Sequence, residues 1–428
     1  MNRSRRTFIQ TGAAAGLGAG LAGCNTAPAP AQAPAAAGPH PAIAALKPMT
    51  ADVKPITADE RAARVEKARK LMVDNKIGAL YLEGGSSMFY FTGVRWGLSE
   101  RPFVCVIPAR GELGWVCPAF EEERARELVK GQADVRVWQE DESPYRQIAG
   151  FLKDRGATGR VAVEERLRHF IFSGVRKEMP GADFVDGEPV TAGCRMIKSA
   201  AELALMQKAS DITIEAFRAA FATFREGMTQ DDLRANIAAA HRALGAPGGS
   251  ASVSFGKFTA FPHGSIEPQK LAEGDVIQVD GGCAIDGYQS DITRTTVFGK
   301  ASARQIEIWE LEKKAQAAAF AVVKPGTPCE AVDAAARKVI TDAGFGPDYK
   351  VPGLPHRTGH GIGLDGHEWT NFVRGNKTPL APGMCFSNEP MIAIYGEFGI
   401  RLEDCLHVTE TGAQYFSQPS PSIDKPFA

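Results

Sequence analysis

The sequence predicts two folded domains, an α/β domain over residues 53–190 and an α+β domain over residues 195–418. Three observations carry this expectation. From about residue 55 to 190, short apolar runs alternate with stretches whose apolar residues recur at helical spacing. After Lys198, long helical patterns give way to glycine-rich hairpin strands, then two more helices, then strands again, a mixture that reads as α+β. The chain has 428 residues, enough for more than one buried core.

In the first domain, "ERAARVEKARKLMVDNKI" reads as a helix and "GALYLEG" as the strand after it. "PFVCVIP" and "LGWVCPA" read as a hairpin carrying Cys105 and Cys117, which the sequence leaves open as a cross-hairpin disulfide or as buried thiols. "EEERARELVKGQ", "VRVW", "QIAGFLKDRG" and "RVAVEE" continue the alternation of helix and strand. In the second domain, "KSAAELALMQKASDITIEAFRAAFATF" is a long amphipathic helix, and Thr229 is placed to cap "MTQDDLRANIAAAHRALGA". Strands and glycine-rich turns fill about 250–298. The helices "RQIEIWELEKKAQAAAFAVV" and "PCEAVDAAARKVITDAG" follow, and strand and loop complete the domain.

A net charge of -1, from 49 basic and 50 acidic residues, gives no electrostatic case for nucleic acid or an anionic membrane surface. The N-terminus reads as address rather than fold. "SRRTFIQ" precedes an apolar stretch and resembles a twin-arginine export signal. "LAGC" resembles a lipobox with Cys24 as the lipidated residue, so 1–24 is expected to be a signal peptide. The Pro/Ala-rich residues 25–52 read as an extended linker. Together these predict an exported, periplasmic protein that meets a membrane only through its lipid anchor.

The chemistry gathers in a few stretches. "DGGCAIDGYQSD" places Asp280 and Asp291 on two strands joined at Asp286-Gly287, a hairpin turn pair, so the carboxylates come to facing positions within a residue or two. Neighbouring carboxylates need a proton or a cation; exposed turn-flanking aspartates are the plainer alternative. "HRTGHGIGLDGHE" adds His356, His360 and His367, "FSNEPMI" adds Glu389, "GIRLEDC" adds Arg401 and Glu403, and "FPHGS" adds His263. Half of the eight histidines lie in these motifs, whereas His169, His241 and His407 read as structural.

The motifs "VDGGCAIDGYQSDITRT", "GHGIGLDGHE", "NEP" and "IRLED" resemble, in order and spacing, those of the pita-bread metallopeptidases, a family that includes methionine aminopeptidase, aminopeptidase P, prolidase and creatinase. The resemblance runs from about residue 55 to 415 and includes a creatinase/prolidase-type N-terminal domain. It implies five metal ligands, Asp280, Asp291, His360, Glu389 and Glu403, holding two divalent ions, with Asp291 and Glu403 bridging. Manganese is favoured over cobalt, zinc or iron. It further implies hydrolysis of an Xaa-Pro bond by a metal-bridging hydroxide, with Glu389 shuttling the proton. His263 and His367 would serve catalysis, and His263, His356, His367 and Arg401 would line the substrate pocket. Arg401 would mainly orient Glu403. The expected substrate is a small peptide, cut in the manner of aminopeptidase P or prolidase, and the expected assembly is a homodimer. Met391 and Ala393 depart from the family pattern at the pocket wall. The alternatives are a hydrolase of a small non-peptide amide on the same fold, similar to creatinase or ectoine hydrolase, and a non-catalytic binding protein.

Overall fold

The computed structural model describes residues 38–130 and 134–428. The export signal and Cys24 lie outside the described residues. Part of the expected linker does not. Residues Pro41–Ala44 form a short helix, α1, with Ile43 buried; Met49 N–H donates to Leu244 O at 2.8 Å, and Asp52 pairs with Lys208. The extended-tether reading is thus corrected from about residue 39 onward. A few apolar side chains, Ile43, Leu46 and Met49, dock this stretch on the second domain in spite of its composition.

The first domain is a six-stranded mixed sheet with helices on both faces. Its strands are β1 (Ala79–Glu83), β2 (Val104–Pro108), β3 (Gly114–Pro118), β4 (Asp134–Trp138), β5 (Arg160–Val163) and β6 (Asp183–Asp186), in the order β4-β3-β2-β1-β5-β6. β1–β2 and β2–β3 are antiparallel and the other pairs parallel. The two-residue period of a strand divides β1 cleanly. Leu80 and Leu82 enter a core with the second domain, whereas Ala79 and Tyr81 enter another, under the helices at 144–154 and 169–178. Cys105 lies opposite Trp115 rather than Cys117, and both cysteines are buried free thiols.

Helix α2 (Ala58–Asp74) begins with a Thr57/Glu60 capping box, and α3 (Ser86–Thr92) follows β1. α4 (Glu122–Val129), α5 (Pro144–Asp154), α6 (His169–Glu178) and α7 (Glu188–Arg195) complete the domain. The second domain repeats one order twice: two helices, then strands. α8 (Ala200–Phe221) and α9 (Gln230–Ala243) pack on a sheet of β7 (Gly249–Phe255), β8 (Val276–Ile285) and β10 (Ile292–Val297), with β9 (Tyr288–Gln289) extending the β8 hairpin. Thr229 caps α9 as expected. α10 (Ala303–Ala321) and α11 (Cys329–Asp342) pack on the second set of strands. These are β11 (Gly359–Gly361), β12 (Glu368–Phe372), β13 (Cys385–Asn388), β16 (Asp404–Val408) and β17 (Ala413–Tyr415), beside the hairpin β14 (Met391–Ile394)–β15 (Phe398–Arg401). An antiparallel bridge, Thr293–Glu403, joins the two halves.

The two domains share buried polar contacts as well as apolar ones. Arg64 of α2 and the Tyr288 hydroxyl both reach Glu202 of α8, at 3.4 and 2.7 Å. The other Glu202 oxygen accepts from Ser199 N–H, capping α8. Residues 39–428 form one compact unit.

Candidate metallopeptidase site

The site forms at the seam between the two halves. Asp286 and Gly287 both have positive φ, the backbone of a two-residue hairpin turn, and Ile285 pairs with Tyr288 across it. Farther along the hairpin Thr293 lies opposite Asp280, so Asp291, two residues before Thr293, shares its face and sits diagonally from Asp280. The glycines of these motifs serve close packing. A Cβ on Gly282 would lie 2.0 Å from Ser290 O, and one on Gly359 would lie 2.1 Å from Ser387 O.

Asp291, His360 and Glu403 bring ligand atoms within 4.8 Å of one another. The Nδ1–H of His360 donates to Gly361 O at 3.0 Å, which turns Nε2 inward, 3.2 Å from Glu389 Oε1 and 3.8 Å from Asp291 Oδ2. Ser387 holds this corner: its hydroxyl accepts from His360 N–H and donates to Glu389. The Thr293 hydroxyl lies 3.0 Å from Asp280 Oδ1 and 2.7 Å from Glu403 Oε2. One hydroxyl proton serves only one of these at a time.

Arg401 corrects an expectation. It pairs with Asp280 at 2.5 Å and donates to Pro262 O at 2.9 Å. Its hydrogen-bonded link to Glu403 runs through Thr293, whose hydroxyl accepts from Arg401 Nε at 3.1 Å, and beyond that only its charge acts on Glu403. Arg401 therefore orients Asp280 directly, because the end of β15 lies beside β8.

The electrostatics call for cations. Burial, then the Asp280 charge, pushes Asp291 up to about 7. Burial, then Asp291 and Glu389, pushes Glu403 far above the carboxylate range. Burial also opposes the ionised form of Glu389, but His360 outweighs it and holds Glu389 well below its usual value. Burial and like charge thus both favour the protonated forms of Asp291 and Glu403, and a cation would relieve both. Carboxylate oxygens with one imidazole nitrogen suit a divalent ion, and the residues present fit one.

Around this cluster lies a cavity of about 350 Å³, lined by His263, Asp280, Asp291, His356, Arg357, His360, His367, Glu389 and Arg401. The structure brings every sequence-predicted site residue other than Cys24 to this place, with Glu403 buried at its floor. His356 donates from Nδ1 to Arg357 O, and its buried Nε2 has no partner among the described residues. His367 stacks on His360, ring centres 3.8 Å apart and 11° from parallel. Its Nδ1 accepts from Arg357 Nη2 at 2.9 Å, leaving the proton of the neutral ring on Nε2. Desolvation, then His360 and Arg357, pushes His367 down to about 4, so it is neutral at pH 7.

Two residues of the site escaped the sequence reading. Thr293 could have been found from the hairpin register, two positions beyond Asp291. Arg357 stands between His356 and Thr358, and no sequence pattern marks it. The loop that presents it is gripped by α11: Arg337 donates to Leu354 O at 3.1 Å and to His356 O, while Asp333 accepts from both Thr358 N–H and its hydroxyl.

The profile of metallopeptidase family M24 matches residues 204–410, and that of the creatinase/prolidase N-terminal domain matches residues 64–197. The chain belongs to metallopeptidase family M24. An Xaa-Pro dipeptidase of Lactobacillus delbrueckii subsp. lactis is 32% identical over 368 residues, covering 84% of this chain and 98% of the relative. Among solved structures, a dipeptidase of Mycobacterium ulcerans superposes with a TM-score of 0.80 at 31% identity, covering 88% of this chain and 100% of that one. A prolidase of Thermococcus sibiricus gives 0.78 at 30% identity, with 84% and 97% covered. The architecture is a creatinase-type domain followed by a pita-bread domain, and the protein is a metallo-exopeptidase.

Proposed function

We propose that this peptidase is an Xaa-Pro dipeptidase that works with two divalent ions, manganese by preference. The observation that carries the choice of dipeptide is Arg357. It is a cavity-lining guanidinium that binds an imidazole and forms no ion pair among the described residues. A dipeptide presents its C-terminal carboxylate one residue beyond the scissile bond, within the same small cavity. A guanidinium receives such a carboxylate by a pair of hydrogen bonds. The relatives' names as dipeptidases support the same reading.

In this reading Asp280, Asp291, His360, Glu389 and Glu403 would hold the two ions. When bound, the ions would supply Lewis-acid chemistry for the scissile carbonyl and for water. Glu389, held ionised by His360, takes a proton and passes it to the departing imino nitrogen of proline. The neutral Nε2–H of His367 donates to the oxygen on which charge develops, and the exposed His263 closes the rim beside it. Arg401 and Thr293 fix Asp280 and Glu403.

The test compares Ala-Pro, Ala-Pro-amide and Ala-Pro-Ala with the manganese-loaded protein. Cleavage of Ala-Pro alone, with a KM raised at least tenfold in Arg357→Gln, supports the proposal. Equal cleavage of the tripeptide makes it an aminopeptidase. No cleavage of any of them turns the reading toward a small non-peptide amide. From sequence alone we also propose export by the twin-arginine route, periplasmic residence and acylation at Cys24, to be read from the mass of the mature N-terminus. A homodimer is proposed on family resemblance and is checked by light scattering.

A further inference from the structure

The loop Gly363–His367 carries the imidazole that covers His360, and it is held from the other domain. His367 itself is exposed at the cavity mouth. A Cβ at Gly366 would meet nothing within 4 Å, so no close packing confines that side of the loop. Within the second domain Gln289 N–H donates to Gly363 O at 2.8 Å and Arg357 to the His367 ring at 2.9 Å; the hold from the first domain is through Asp365. Its Oδ1 accepts from the Ser86 hydroxyl at 2.6 Å and from Arg166 Nη1 at 2.8 Å, and its Oδ2 accepts from Arg195 at 2.7 Å. Arg166 Nη2 also reaches His367 O at 3.5 Å. Ser86 begins α3 and Arg166 follows β5, both in the first domain. Arg195, at the end of α7, also bonds Ser87 and pairs with the buried Glu368, which Lys198 approaches at 3.1 Å. The residues on either side of the histidine are thus anchored, Glu368 in a buried ion cluster and Asp365 by the first domain.

We propose that Ser86 and Arg166 are positioning residues of the peptidase site, and that the first domain completes the site by holding His367 in stack over His360. Arg195 and Glu368 fix the base of the loop. Ser86 and Arg166 fix its tip, where Gly366 leaves the backbone room to swing the ring away. A reacting geometry disturbed by about 1 Å costs up to about a hundredfold in rate. The clamp therefore acts on turnover, whereas Arg357, which both lines the cavity and bonds the His367 ring, also serves substrate capture. The catalytic consequence rests on the Xaa-Pro peptidase reading above; the stacking consequence does not.

The test is the double variant Ser86→Ala/Arg166→Gln in the full chain. Arg166 is more than half exposed, with side-chain exposure of 56%, so the fold tolerates its loss. Arg160→Gln, which removes another surface ion pair of the same domain far from the loop, is the control. The clamp predicts a kcat for Ala-Pro at least tenfold below wild type, a KM within twofold, and unchanged manganese content and melting temperature. It also predicts that the ring-proton NMR shifts of His367, assigned with His367→Asn, lose their stacking displacement. Arg166→Lys should restore part of both signals. A kcat within twofold of wild type, or of the Arg160→Gln control, overturns the catalytic role. Unmoved ring shifts overturn the clamp itself. If wild type cleaves no Xaa-Pro substrate, the peptidase reading falls and the ring shifts alone decide whether the loop is held from the first domain.

Discussion

Metal binding by this protein should expel protons, and the count follows from the site. In the metal-free protein Glu403 is pushed far above the carboxylate range and Asp291 to about 7, in each case first by burial. A carboxylate must be ionised to serve as a ligand, so binding takes those protons away. Near pH 7 Asp291 gives up about half a proton on average and Glu403 adds to that, so the logarithm of metal affinity should rise by at least about 0.5 per pH unit. That is at least about threefold, or about 0.7 kcal/mol, for each pH unit. The sign is that of a raised acid: the competing proton is bound below the shifted pKa and absent above it. The Asp291 part of the slope should therefore steepen toward about 1 at pH 6 and fade by pH 8, as Asp291 ionises unaided. Any proton on His360 Nε2 adds to the count. Calorimetric titration of manganese into metal-free protein, in buffers of differing ionisation enthalpy, reads the released protons directly. A heat independent of the buffer, or a slope below about 0.5, would refute the idea that unneutralised negative charge organises this cluster.

Three further outcomes are expected. Glu164 is buried and pushed by burial up to about 7, against an ordinary value of 4.5. Its stabilising contribution is full below pH 4.5 and lost as pH rises through 7, so Glu164→Gln should be more stable than wild type by up to about 3 kcal/mol at pH 8 and nearly equal at pH 5; a gap in urea melts that does not change with pH would contradict this. Glu368 is buried between Lys198 and Arg195, whose charges outweigh its burial and hold it at about 2. Glu368→Ala should cost about 3–5 kcal/mol by leaving the buried Lys198 without its partner and Arg195 with Asp365 alone, whereas a loss under about 1 kcal/mol would show that water already reaches them. Arg401→Gln should weaken manganese binding by roughly 10- to 100-fold, since Asp280 loses the group that orients it, and equilibrium dialysis measures the loss.

What the sequence could reveal was decided by how local the evidence was. Asp286-Gly287 announces its own turn, and the turn alone places Asp280 near Asp291. His360, Glu389 and Glu403 are of residue types with few other reasons to cluster, so their motifs could be read before any contact was known. Thr293 and Arg357 belong to types common on any strand or loop, and their roles arise only from what lies across a register or a cavity. Residues 39–52 misled for a similar reason. Proline and alanine dominate the composition, while the contacts of Ile43 and Met49 lie about two hundred positions away. The partner of Arg401 was misjudged because proximity in sequence to Glu403 outweighed an encounter with Asp280 that only the sheet edges create.

The bridge between Thr293 and Glu403 has one more consequence. Asp280 and Asp291 come from the first helix-pair half of the catalytic domain; His360, Glu389 and Glu403 come from the second. In the proposed reading neither half alone supplies the whole ligand set. An ion shared between them would work as a rivet, its affinity drawn from the free energy of joining two surfaces. Removing metal should thus loosen the halves from each other before either unravels, and metal uptake can mark the moment when a newly made chain has closed.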